Sequence, residues 1–211
     1  MELTAAAVWL NTVFAEFDLT FTRAVHGLYE VAGGFFTPFF SFISILGKAG
    51  IFLILLSFVL MYFVKTRRFG AAMLIGVAMG AVFTNLWLKV VIARPRPYLF
   101  DEYRQLWQLV GMKTESDFCF PSGHTCAAFA ASTAVFWTGK KRVSWTAFIF
   151  GILMGISRIY LVVHYPTDVV GGIIIGFLAG SFGALLAAHL PNSFYRKKPK
   201  DVNEINDVTA V

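Results

Sequence analysis

From about residue 31 onward the chain is a series of long apolar runs set apart by short clusters of charge. Twenty uncharged residues separate Arg68 from Lys89, and Val169 to Ala188 is a second run of twenty. The stretch 118–139 is broken only by His124, and 143–163 only by Arg158. Lys48 and Lys65 enclose sixteen more. That is short of the ~20 residues a helix needs to cross hydrocarbon, but terminal lysines can snorkel to the interface. The pattern predicts five transmembrane helices, over about 49–65, 69–92, 123–139, 143–163 and 167–189. A weaker first one, over 31–47, is short and has Pro38 near its middle. It is open to spanning, re-entering or lying at the interface.

Three regions follow: an N-terminal amphipathic or interfacial segment over 1–30, a membrane domain over 31–190, and a polar cytoplasmic tail over 191–211. Glu2 stands where a secretory leader carries positive charge, and Glu16 and Asp18 follow, so 1–30 does not read as a cleaved signal. Composition agrees with a membrane protein. The 211 residues are 57% hydrophobic and 14% charged, against roughly 25% charged in soluble domains. The fold class expected is an all-α integral-membrane bundle.

The net charge of +6 suggests nucleic acid only if its location is ignored. Ten of the eighteen basic residues fall in three clusters, Lys65/Arg67/Arg68, Lys140/Lys141/Arg142 and Arg196/Lys197/Lys198/Lys200. These lie at alternate helix ends, where the positive-inside rule puts cytoplasmic loops. The protein is thus expected to be multi-pass in a cell membrane, with 94–120 and the turn around His164 on the extracytoplasmic side. Its partners are the bilayer and a membrane-borne substrate, not nucleic acid. The compact length and the lack of an Asn-x-Ser/Thr sequon point to a bacterial source.

This topology collects the intramembrane ionisable groups on one face. Such groups cost several kcal/mol without a partner and signal function by default. In "KVVIARPRPY" Lys89 and Arg96 are about two helical turns apart if the helix continues, and Pro95 and Pro97 end it. Cations held together suit a multiply charged oxyanion. In "FPSGHTCAAF" Ser122 is a candidate N-cap. The exposed N–H groups and dipole of the helix start favour an anion beside His124. In "SRIYLVVHYPTDVVGG" Pro166 suits a first helical turn, and Asp168 can reach back four residues to His164. A carboxylate on one imidazole nitrogen leaves the other free as a nucleophile. Arg158 adds a third cation. Together these groups fit phosphoryl transfer, in which cations bind the equatorial oxygens while one histidine attacks and the other protonates the leaving oxygen.

Lys89-x6-Arg96-Pro97, Pro121-Ser122-Gly123-His124 and Ser157-Arg158-x5-His164-x3-Asp168 resemble the tripartite signature of the type 2 phosphatidic acid phosphatase (PAP2) superfamily, membrane lipid phosphatase branch. The match runs over about 80 residues with every spacing kept. The resemblance implies a six-helix membrane core acting on lipid phosphates or diphosphates, without metal or cofactor. It also implies phosphate binding by Lys89, Arg96 and Arg158 with help from Ser122 and Gly123. His164 would be the nucleophile, Asp168 its orienting partner, and His124 the acid and then the base. Phosphatidate, phosphatidylglycerophosphate, a polyprenyl diphosphate such as undecaprenyl diphosphate and a sphingoid phosphate all fit. The alternative is a lipid transporter or flippase using the same cluster as a path. The stripe Gly172, Gly176, Gly180, and the pairs Gly76/Gly80 and Gly151/Gly155, predict close helix packing within the chain. Cys119 and Cys126 lie on the face where a disulfide is permitted, although Cys126 falls inside a helix start.

Overall fold

The structure is a computed structural model that describes residues 3–195. The basic run from Arg196 and most of the expected polar tail lie outside the described residues. The described residues are helical, with no strand among them. In chain order the helices are α1 (Ala5–Val13), α2 (Ala15–Ala32), α3 (Thr37–Leu46), α4 (Ile51–Tyr62), α5 (Arg67–Ala81), α6 (Lys89–Ile92), α7 (Asp101–Leu109), α8 (Gly123–Thr138), α9 (Lys141–Ser144), α10 (Ala147–Tyr160), α11 (Pro166–Ala188) and α12 (Asn192–Tyr195).

Three stretches are long and apolar enough to cross a membrane: Arg67–Leu99, Lys141–Tyr160 and Pro166–Ala188. A fourth arises if α3 and α4, bent by 57° at their junction, form one span. The bend accounts for the uncertain first helix. The chain turns at Gly47 and at Gly50, whose φ of +67° is left-handed and costs glycine little. The apolar run expected over 49–65 therefore starts at Ile51 and ends at Tyr62. Helix α8 has 16 residues, and Thr125 through Ala134 are all buried, so protein rather than lipid surrounds its middle.

The centre of the bundle is α5, α8 and α11, and glycine sets how closely they approach. A Cβ on Gly180 would lie 2.3 Å from the Ala130 carbonyl oxygen, and one on Gly176 would lie 2.5 Å from that of Cys126. On the other side, a Cβ on Gly183 would lie 2.5 Å from the Ala72 oxygen, and Gly76 faces the Gly180 Cα. The stripe therefore serves packing within the chain, as its spacing predicts. Gly151 likewise accepts the Phe129 ring, and Gly155 faces Val169.

Helix α1 buries Ala7 and Leu10, whereas α2 buries polar residues. On α2 Asp18, Thr22 and His26 are buried, while Phe17, Phe21 and Leu28 are exposed. One polar stripe thus points into the protein, while the outward side mixes these apolar residues with Glu16, Arg23 and Glu30. Helix α2 packs on α7, α10 and α11, so it is continuous with the bundle rather than laid beside it. The two cysteines are free and buried.

Candidate active site

Four helix ends meet at one end of the bundle. Between α5 and α6 the chain makes a π-helix, Val82–Leu88. Wide turns of this kind recur at functional sites. This one brings Asn85 to the start of α8, where a Cβ on Gly123 would lie 2.8 Å from its side-chain oxygen. Helix α6 stops at Ile92 because Ala93 turns left-handed, with a φ of +50°. Arg96 therefore returns through the Pro95–Pro97 loop and not from a continuing helix. Val162 is left-handed too, at +54°. For a β-branched residue this conformation is strained, and such strain clusters at functional sites. It turns the chain after α10 so that His164 faces Arg96.

Ser122 caps α8 as its position predicts, its hydroxyl accepting from the Thr125 N–H. Its own N–H donates to the Asp168 carbonyl oxygen at 3.0 Å, which joins the start of α8 to the start of α11. Asp168 sits in the first turn of α11. One of its oxygens accepts the Tyr165 N–H at 2.9 Å and faces His164 Nδ1 at 3.3 Å. Arg96 Nη1 lies 2.9 Å from His164 Nε2. The tautomer that satisfies both contacts carries its proton on Nδ1 and keeps the lone pair on Nε2. That is the state a nucleophilic imidazole needs.

A cavity of about 310 Å³ opens beside this pair. Lys89, Arg96, Gly123 and His124 line it, with Asn85, Glu115 and Asp117. Arg158, His164, Asp168 and Ser122 are buried and are not in the lining. The expected residues thus converge, but in two tiers, with Arg96 touching both.

Two carboxylates that the sequence did not single out occupy the cations. Asp117 pairs with both Lys89 and Arg96, and Glu115 pairs with Arg158. Burial opposes their ionisation, yet Arg158 beside Glu115 and Lys89 beside Asp117 outweigh it. Both carboxyls are held below the usual carboxylate range. Arg158 also donates to Ser44 Oγ, and its Nε–H has no acceptor among the described residues. A fully buried guanidinium short of one acceptor has capacity for a further anionic oxygen.

Two further residues stand behind Asp168. Arg94, 1% exposed, donates to Asp168 and to Asp18, and the Tyr165 ring lies 3.8 Å from its guanidinium carbon. Asp18 was legible only as an acid near the start. The sequence signal is the four-residue spacing of Asp18, Thr22 and His26 on one face of α2. Arg94 was visible as a charge at the helix end, but the sequence offered it no partner.

Fold and site together define an all-helical membrane protein whose cations, two histidines and an aspartate meet at one end of the bundle. The chain belongs to the PAP2 superfamily, whose sequence pattern matches residues 69–190. It is 39% identical over 106 residues to undecaprenyl-diphosphatase BcrC of Bacillus subtilis, covering 48% of this chain and 52% of that one. It is also 39% identical over 74 residues to phosphatidylglycerophosphatase B of the same organism, covering 30% and 36%. The chain thus spans about half or less of the length of these curated relatives. The crystal structure of a transmembrane PAP2 type phosphatidylglycerolphosphate phosphatase from Bacillus subtilis superposes with a TM-score of 0.67 at 25% identity, covering 88% of this chain and 92% of that one.

Proposed function

We propose that the protein is a multi-pass lipid phosphatase that cleaves a lipid phosphate or diphosphate through a phosphohistidine. The observation that carries this reading is the pairing of His164 Nε2 with Arg96 at the edge of a cavity that also holds Lys89 and His124. Lys89, Arg96 and Arg158 take the phosphoryl oxygens. His164 Nε2 attacks the terminal phosphorus as its bond to the leaving oxygen breaks, and His124 gives that oxygen a proton. The leaving oxygen belongs to the lipid alcohol in a monophosphate and to the lipid monophosphate in a diphosphate. Water then attacks the phosphohistidine and His124 takes its proton, so that inorganic phosphate leaves and His164 is restored. Asp168 holds the Nδ1 proton throughout.

Among substrates, undecaprenyl diphosphate and phosphatidylglycerophosphate come first, because they are what the named relatives act on. The charge work falls to protein cations, so the reading includes no metal. The test is phosphate release by protein purified in detergent, against a panel of both lipids and phosphatidate, with chelator present. Release from at least one is expected. Detergent abolishes the sealed membrane that transport requires, so hydrolysis there also separates a phosphatase from a flippase. No release from any lipid, or release lost in chelator and restored by magnesium, overturns the reading.

We infer that the site lies outside the cytoplasm. Lys65, Arg67 and Arg68, with Lys140, Lys141 and Arg142, lie at the end of the bundle opposite to it, and such clusters face the cytoplasm. In a background lacking Cys119 and Cys126, a cysteine at Gln105 should label with an impermeant thiol reagent in intact cells, and one at Lys140 should not. The reverse pattern would invert the topology.

A further inference from the structure

We propose that Arg94 and Asp18 are positioning residues for the His164–Asp168 pair, so that the two N-terminal helices form part of the reaction centre. The inference rests on the reading of His164 as nucleophile. Each nitrogen of the Arg94 guanidinium donates a hydrogen bond. Its Nε donates to Asn11 Oδ1 of α1 at 2.8 Å, and its Nη2 to Asp18 Oδ2 of α2 at 2.8 Å. Its Nη1 donates to Thr167 Oγ1 and to Asp168 Oδ1, both at 2.7 Å. Asp18 in turn accepts the Thr167 N–H at 2.9 Å and the Thr167 hydroxyl at 2.8 Å. Asp18, Arg94 and Asp168 are each no more than 1% exposed.

The charge balance shows what this arrangement does. Two carboxylates against one guanidinium leave one net negative charge behind His164. When Nε2 bonds to phosphorus while Nδ1 keeps its proton, the ring becomes cationic. Removing Asp18 would leave Arg94 paired with Asp168 alone, and no net charge would then balance the ring. A buried ion network kept for structure alone would not require this sign. Asp18 also divides the guanidinium. Arg94 reaches only one oxygen of Asp168, which leaves the other for Tyr165 N–H and His164 Nδ1.

Two isosteric substitutions move this charge in opposite directions. Asp18→Asn removes a negative charge, and Asn11→Asp adds one against Arg94 Nε. The readout is the protonation midpoint of His164, followed by nitrogen NMR of histidine-labelled protein in detergent and assigned by loss of the signal in His164→Ala. Arg96, Arg158, Lys89 and His124 also face His164 from the loop, α10, α6 and α8, with Glu115 and Asp117 on those cations and Tyr103 and Tyr165 near Arg94. None of these changes in either variant. Asp18→Asn should keep His164 neutral about one pH unit further into acid, a tenfold change in protonation constant, and Asn11→Asp should shift it by about as much the other way. Asp18→Glu should restore most of the wild-type midpoint. An unmoved midpoint in Asp18→Asn, or shifts of one sign in both variants, overturns the proposal. The titration needs no substrate, so a wild-type protein that releases no phosphate would refute the phosphatase reading and leave this result standing.

Discussion

His164→Ala should abolish phosphate release from every substrate, whatever its leaving group, while the effect of His124→Ala should depend on that group. His164 Nε2 is proposed to form the bond to phosphorus, and alanine supplies no substitute. His124 is proposed to protonate the departing oxygen, and that help matters in proportion to the oxygen's basicity. A lipid alkoxide needs the proton far more than a nitrophenolate, or than the phosphate leaving a diphosphate. General acid catalysis is worth about 10²–10⁴-fold. His124→Ala should lose about that on an alkyl phosphate and much less in the first step on an activated one. The same variant should accumulate phosphate on His164, because water lacks its base. Rapid quenching with a labelled activated phosphate reads both effects, since a phosphohistidine is acid-labile and base-stable. An adduct on the His164→Ala protein, or equal losses for both variants on all leaving groups, would reverse or remove the assigned roles.

Gly180→Ala is expected to be the most damaging single methyl group in the membrane core. The new carbon would sit 2.3 Å from the Ala130 carbonyl oxygen and 2.7 Å from the Thr133 Cβ. Neither is the end of a flexible side chain, so α11 must back away from α8. Overpacking usually costs 1–3 kcal/mol, and backbone on both sides of α11 puts this case at about 3 kcal/mol. Because α11 carries Asp168 at its other end, activity should fall with stability. Gly27→Ala is the matched control. A Cβ there meets nothing within 4 Å, and alanine in a helix is worth up to about 1 kcal/mol over glycine. Thermal unfolding in detergent compares the two. Equal melting temperatures for Gly180→Ala and wild type would show that the α8–α11 contact is slack.

The parts of the site legible in the sequence are those where chemistry forces an ionisable residue into an apolar run. His124, Arg158, His164 and Asp168 stand out because nothing around them is charged. Their spacings also survive folding, since His124 lies at the start of α8 and the other three span the short turn from the end of α10 to the start of α11. The glycine stripe was readable for a similar reason, being periodic within one helix. What escaped was pairing across distance. Asp18 and Arg94 are 76 residues apart, and the sequence says only that each is charged. Glu115 and Asp117 lie in a loop without periodicity, where nothing in the sequence pairs them with a particular cation. The boundary between α3 and α4 is legible at Lys48, but the 57° bend across it is not, because both sides of it are apolar.

If Lys89, Arg96 and Arg158 bind the phosphoryl group as proposed, the carboxylates of Glu115 and Asp117 make that binding an ion exchange and not a neutralisation. Lys89, Arg96 and Arg158 already have counter-ions supplied by the protein's own loop. An incoming anion gains only the difference between its contacts and those it replaces. A single-charged anion such as chloride offers little advantage over a tethered carboxylate. A phosphoryl group, with several charged oxygens held at fixed angles, can satisfy all three cations at once. On the proposed function the loop would act as a selectivity threshold, and the same two acids would reclaim the cations when inorganic phosphate departs.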